Sequence, residues 1–278
     1  MKTCVLGATG AVGTPITNFF ENKGPVLKLN SRNCNLNDIN GIPDFSFTNC
    51  DVFINAFGTF GGLKSYESGA IELDSHCYNN LSSLIDQLNP STVINISSAS
   101  VSNKENHKST STYYEYVKIK KKIEELISNK NIDSIVHLRC TNIISKYENF
   151  KRSGHSISLI YKKYLDAVEN VEIWSHERDW REYLDADDLI LILPEILKLK
   201  GQHVLTIGSG KKSYMVDIIK YFNKFMNFRG KCVFSQPHKN GPQAEVAHLP
   251  KAIYLPDDID FTPIEKSIEK CIKEWNAI

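Results

Sequence analysis

The 278-residue chain lacks any Cys-x-x-Cys pair, although it has seven cysteines. Cys4, Cys34, Cys50, Cys77, Cys140, Cys232 and Cys271 are scattered, and none sits near histidines at zinc-ligand spacing. That pattern excludes the common structural zinc sites. No bound metal is expected, and reduced thiols are the expected state, as in a cytoplasmic protein. Also missing is an apolar run long enough to cross a bilayer. The opening segment MKTCVLGATGAVG is too rich in glycine, and its apolar run too brief, to read as a secretory leader. Neither sign of charge dominates: 33 basic residues face 32 acidic ones, for a net charge of +1. The lysine-rich stretch 118–122 is followed at once by Glu124 and Glu125, the pattern of a solvated helix face. Neither nucleic acid nor an anionic membrane is therefore expected as a partner. The sequence shows no internal repeat and no low-complexity linker.

What is present reads as one large α/β domain, or one domain with a smaller lobe. A hydrophobic content of 41% and a charged content of 23% are enough for a sizeable core. Short apolar runs at 3–6, 25–29, 51–56, 92–97 and 134–138 alternate with helix-period segments near 15–22, 72–88 and 114–129. Continuous apolar strands separated by helices indicate a parallel sheet covered on both faces, the doubly wound Rossmann pattern. The interval between the second and third strands is short, so an irregular crossover is expected there. After residue 145 the alternation loosens, with further helices expected near 154–169 and 263–276.

The stretch VLGATGAVGTPI places Gly7, Gly10 and Gly13 directly after the first strand and at the start of a helix. Without side chains, backbone N–H groups can approach a pyrophosphate closely, and the helix N-terminus adds partial positive charge. Gly7, Thr9, Gly10, Ala11, Val12 and Gly13 are the candidate dinucleotide contacts. The plainer alternative is a tight turn that holds no ligand.

The Gly-x-x-Gly-x-x-Gly spacing resembles the extended branch of the short-chain dehydrogenase/reductase superfamily, whose members act on nucleotide sugars. Further stretches support the resemblance in chain order. DVFINAFG is similar to the third-strand motif of that family, which implies that Asn55, Ala56, Phe57 and Gly58 lie beside the adenosine. VINISSAS resembles the strand that carries a catalytic serine or threonine, and HLRCTN the segment beside the nicotinamide. REYLDADDL resembles a motif of the sugar-nucleotide lobe, and LTIGSGKKSYMVDI a later glycine-containing stretch. The resemblance runs from Met1 to about residue 217. It implies a dinucleotide-binding Rossmann domain over 1–145, completed by segments near 185–207, and a mainly substrate-binding lobe over 146–278. It also implies that Arg181 contacts the substrate phosphates and that Asn142 hydrogen-bonds the substrate. Arg178 is a fallback for the phosphates, and a salt bridge from Arg181 to Asp185 or Glu182 is the structural alternative. Trp174, Trp180 and Tyr183 are expected in the core rather than as stacking platforms.

The second strand ends in LNSRNCNLND. NAD-selective relatives carry an acid there for the ribose 2′-hydroxyl. Here Asn30, Ser31 and Arg32 take its place, and the Arg32 guanidinium could pair with a 2′-phosphate. NADP is therefore expected ahead of NAD, unless Arg32 is an ordinary surface arginine. With the later GTFGGL, this stretch also resembles the GDP-fucose synthase and dTDP-4-dehydrorhamnose reductase group of ketoreductases.

That superfamily uses Tyr-x-x-x-Lys together with a serine or threonine. The tyrosine exchanges a proton with the substrate, and a lysine one turn away lowers its pKa. The stretch YYEYVKIKKKIEEL offers two registers, Tyr116 with Lys120 and Tyr114 with Lys118. At about 100° per residue, Ile119, Ile123, Leu126 and Ile127 share one side of the helix. Tyr116 and Lys120 border that stripe, whereas Tyr114 and Lys118 fall on the far side with Lys122 and Glu125. Periodicity thus favours Tyr116/Lys120, and the Tyr-x-Tyr-x-Lys wording favours Tyr114/Lys118. The second register would suit a helix buried on another face by a partner subunit, so a homodimer stays open. Ser98, at the carboxyl end of its strand, is the candidate serine, with Ser97 and Ser100 as rivals.

The expected activity is reduction of a 4-keto nucleotide-diphosphate sugar by NADPH. A 4-epimerase with retained NAD is the mechanistic cousin. A dehydratase is less expected, because SSASVSN offers no Asp-Glu pair after the serine strand. A dinucleotide-sensing binding protein without catalysis is the alternative of another class.

Overall fold

The computed structural model describes residues 1–38, 40–45, 48–58, 75–103, 114–151, 155–235 and 259–278. The first part of the chain runs β1 (Thr3–Leu6), α1 (Gly13–Glu21), β2 (Val26–Leu29), β3 (Val52–Asn55), α2 (Ser75–Leu88), β4 (Thr92–Ser98), α3 (Tyr114–Ser128) and β5 (Ser134–Cys140). Then follow β6 (Asn142–Ile144), α4 (Ser156–Asp166), β7 (Asn170–Trp174), β8 (Trp180–Asp185), α5 (Leu189–Ile196) and β9 (Gly201–Ile207). The last elements are β10 (Lys212–Tyr214), α6 (Met215–Phe225), β11 (Lys231–Ser235) and α7 (Ile264–Asn276).

Six parallel strands form the central sheet in the order β2-β1-β3-β4-β5-β9. The chain leaves β1 for β2 on one side and then crosses to β3 on the other. That reversal opens a crevice outside the carboxyl ends of β1 and β3, where open α/β sheets hold their ligands. Between β2 and β3 the described residues form turns rather than a helix, as the short interval implies. Asn30 and Asn33 hold the first turn: the backbone N–H of Asn30 donates to Asn33 Oδ1 and that of Arg32 to Asn30 Oδ1.

Alternation along the strands sends side chains to two apolar layers. Val5, Ile54, Ile94 and Val136 meet Ile16 and Phe20 of α1 and Leu189, Ile192, Leu193 and Ile196 of α5. Cys4, Leu6, Phe53 and Val93 meet Leu81, Leu84 and Leu88 of α2 and Ile119, Ile123 and Ile127 of α3. The sheet is therefore covered on both faces. A third cluster joins α4, α6 and α7 through Tyr161, Tyr164, Phe222 and Trp275. Beside it lie a three-stranded sheet, β10-β8-β6, and the parallel pair β11-β7.

Trp174 and Trp180 depart from the expectation of burial, whereas Trp275 is buried. Val171 and Ile173 face inward on β7, so the period of two turns Trp174 outward, where it is 56% exposed with Lys163 Nζ 4.0 Å from its ring. Trp180 is half-buried at the start of β8 under Lys212, and Tyr183 is buried. All seven cysteines are free thiols. Among the described residues, no helix is long and apolar enough to cross a membrane.

Candidate active site

Parallel strands present all their carboxyl ends on one edge, and the candidate residues gather there. Gly7–Gly13 follow β1, Ser31 and Arg32 follow β2, and Ala56, Phe57 and Gly58 follow β3. Ser98 ends β4, directly beside Cys140 at the end of β5. The GTFGGL residues beyond Gly58, and residues 104–113 ahead of α3, lie outside the described residues.

The glycine loop is stapled to β2, because Gly7 and Ala8 both donate their N–H to Leu29 O, at 2.8 and 3.0 Å. Gly7 has φ +81°, and a Cβ there would stand 2.7 Å from Ala56 O. A Cβ on Gly13 would stand 2.0 Å from Gly7 O. Both positions thus exclude every side chain. Helix α1 begins at Gly13 with no side-chain cap from Val12 and no acid in its first turn. Thr9 and Gly10 are exposed, Ala11 is half-buried, and Ser145 Oγ donates to Ala11 O at 2.7 Å. An acid-free helix N-terminus without a side-chain cap, beside a loop closed tightly on itself, fits the diphosphate of a dinucleotide. Ser31 and Arg32 are exposed next to it.

Helix α3 docks on the sheet through a polar stripe as well as an apolar one. Tyr116, Lys120, Glu124 and Ser128 are each four residues apart and share one face. Lys120 is 6% exposed and donates to Ile96 O at 3.3 Å. Burial draws its pKa down to about 8, against the opposing influence of Cys140 and Glu124. The Tyr116 ring centre lies 6.0 Å from Lys120 Nζ. In the other register Lys118 Nζ lies 5.8 Å from the Tyr114 ring, so distance does not separate the pairs. Surroundings do: the Lys118 side chain is 63% exposed and pairs with Glu115 on the outer face.

Glu124 is the best-satisfied carboxylate of the site. It accepts from Ser97 Oγ at 2.5 Å, from Arg139 Nε at 3.0 Å and from Arg139 Nη2 at 2.6 Å. Burial alone would push its pKa up, but these bonds outweigh it and hold the carboxyl below its ordinary value. Ser97 is thereby committed to the helix, while Ser98 is half-buried at the strand end and accepts the N–H of Ser100. Cys140 is buried, its thiol pushed up to about 12 by burial.

Asn142 Nδ2 on β6 donates to Glu182 O on β8 at 3.0 Å. Arg181 is half-buried with Nη1 on Trp180 O. Its suggested salt-bridge partners have other bonds: Glu182 accepts Gly210 N–H, and Asp185 accepts Ser267 Oγ and Lys270 Nζ. Arg178 is exposed. Sequence reasoning gave no individual role to Ser145, Asn95 or His137, although VINISSAS and HLRCTN contain the last two. The available signal for the last two was a polar residue inside an apolar strand run.

Residues 3–208 match the model of the NAD dependent epimerase/dehydratase family. The chain belongs to that family. One similar curated member is a GDP-L-fucose synthase of Dictyostelium discoideum, 27% identical over 143 residues. That match takes in 49% of this chain and 44% of the relative, so it spans less than half of the relative's length. Among solved structures, MoeE5 in complex with UDP-glucose and NAD superposes with a TM-score of 0.78 at 16% identity, over 100% of this chain and 99% of that one. A GDP-L-fucose synthetase from Naegleria fowleri bound to NADP gives a TM-score of 0.74 at 15% identity, over 99% of this chain and 92% of that one. At such identities the likeness to these structures is one of fold.

Proposed function

We propose that the protein is an NADP-preferring reductase of a 4-keto nucleotide-diphosphate sugar. The observation that carries the reading is Lys120, a buried amine one turn from Tyr116, whose Nζ donates to Ile96 O on β4, two residues before Ser98. The dinucleotide, when bound, supplies the hydride. Tyr116 delivers the proton to the carbonyl oxygen, Lys120 lowers the tyrosine's pKa by its charge, and Ser98 orients the carbonyl by a hydrogen bond. Glu124, held by Arg139 and Ser97, fixes the rotation of α3 and so aims both groups. Arg32 takes a 2′-phosphate, and the Gly7–Gly13 loop with the N-terminus of α1 takes the diphosphate. Asn142 and Arg181 hold the sugar nucleotide against residues 146–278, which act as the substrate lobe. The identity with a GDP-L-fucose synthase and the fold shared with an NADP-bound synthetase support the reductase reading.

The test is consumption of NADPH by purified protein across a panel of 4-keto nucleoside-diphosphate sugars, with NADH alongside. Turnover with at least one member, faster with NADPH, is expected. Protein that carries tightly bound NAD and interconverts epimers without consuming NADPH would overturn the reductase in favour of the epimerase.

A further inference from the structure

A polar row crosses the middle of the sheet, and the steps above do not use it. The register of β3, β4 and β5 sets Asn55, Asn95 and His137 side by side, all three buried. Asn55 Nδ2 donates to Asn95 Oδ1 at 2.8 Å, and Asn95 Nδ2 lies 3.1 Å from His137 Nδ1. His137 Nε2 lies 2.9 Å from Ser128 Oγ on α3. At the other end, Phe57 N–H donates to Asn55 Oδ1 at 3.2 Å.

The row has one consistent polarity. The Asn55 amide hydrogen faces Asn95 Oδ1, so Asn95 turns its own NH₂ toward His137. His137 Nδ1 is then the acceptor, and Nε2 carries the ring hydrogen that goes to Ser128. Turning any single member over sets donor against donor or acceptor against acceptor in a dry layer. Burial favours the neutral ring, and Arg139 on β5 acts in the same sense while Glu124 on α3 opposes it. The near end of the row bears on the cofactor loop, since Ala56 O is the atom that excludes a side chain from Gly7.

We propose that His137 is a positioning residue: as the Nε2–H tautomer it locks the Asn95 and Asn55 amides and thereby sets the Asn55–Phe57 turn against the glycine loop for dinucleotide binding. This rests on the dinucleotide site of the proposed function. Its far end grips the last turn of α3, so the same row joins the cofactor floor to the helix that bears Tyr116 and Lys120.

Two measurements on the full chain test it. Nitrogen-15 NMR of the imidazole is expected to show neutral His137 with the hydrogen on Nε2 at neutral pH. Direct titration with NADPH is expected to show affinity about tenfold weaker in His137→Leu and Asn95→Leu, which leave buried amides unpaired. His137→Gln, which keeps one acceptor and one donor, is expected to bind as wild type does. Should the leucine variants fail to fold, Asn95→Asp tests the same row: an ionised carboxylate gives the ring no hydrogen, so Nδ1 must then become protonated. A wild-type ring that is charged or Nδ1–H overturns the proposal, as does an unchanged ring in Asn95→Asp once the carboxylate is seen by carbon-13 NMR to be ionised. Leucine variants that bind NADPH as tightly as wild type overturn it alone. Wild-type protein that binds neither NADPH nor NADH overturns it together with the function reading.

Discussion

Lys120 sits where its charge is costly to the fold and needed for the proposed chemistry. Its pKa of about 8 in the folded chain lies below the value of about 10.4 for a lysine in water. Between those values the unfolded chain binds more protons, so stability contributed by this group rises with pH across the window. Activity should run the other way. As pH climbs through about 8 the amine loses its charge, and kcat/KM should fall along an alkaline limb centred there. Lys120→Arg, which stays charged, should displace that limb from about 8 in a pH–rate profile, leaving only the fall that follows loss of the Tyr116 proton. A wild-type profile flat across the window would contradict the role. Arg32 makes a simpler prediction. Arg32→Ala should weaken NADPH binding about tenfold or more and leave NADH nearly unchanged, measured by titration. Equal losses for the two cofactors would return Arg32 to an ordinary surface residue.

At the scale of elements, α1 depends on a loop with no spare volume. Gly13→Ala would set a Cβ 2.0 Å from Gly7 O, and backbone cannot step aside cheaply. About 1–3 kcal/mol of stability should be lost, visible as a lower thermal midpoint, together with dinucleotide binding. Helix α3 depends on Glu124 in a different way. Its lowered folded pKa gives stability that is present above the ordinary carboxylate range and lost as pH falls through the folded value. Glu124→Gln should cost about 3 kcal/mol at neutral pH and flatten the acid limb of chemical-denaturation curves. An acid limb identical to wild type would show that the Arg139 pair contributes nothing. These elements differ in how readable they were. Apolar runs located β1, β3, β4 and β5 to within a residue or two, because strands buried on both faces need unbroken hydrophobicity. Helical period placed Ile119, Ile123 and Ile127 toward the sheet for the same reason. What Lys120 and Glu124 meet was not readable, since Ile96 O, Ser97 and Arg139 lie on two other elements. The Asn55–Asn95–His137 row needs strand register, and local sequence does not encode it. Trp174 was misjudged because size suggests burial, whereas its place in the two-residue period of β7 decides.

For the whole molecule, the reversal of strand order between β1 and β3 determines where chemistry can occur. Parallel strands put the carboxyl ends of β1 to β4 and the glycine loop at one edge, and Lys120 of α3 reaches Ile96 O on β4. In the proposed reaction this edge works as a unit, with the dinucleotide on the glycine loop and the proton donor on α3. The most direct test compares Tyr116→Phe with Tyr114→Phe in steady-state reduction of the sugar nucleotide by NADPH, with NADPH affinity measured in parallel. With Tyr116 as the proton donor, Tyr116→Phe should lower kcat about a thousandfold while NADPH still binds, and Tyr114→Phe should retain most of the activity. Loss of turnover in Tyr114→Phe with Tyr116→Phe active would assign the proton donor to Tyr114 instead.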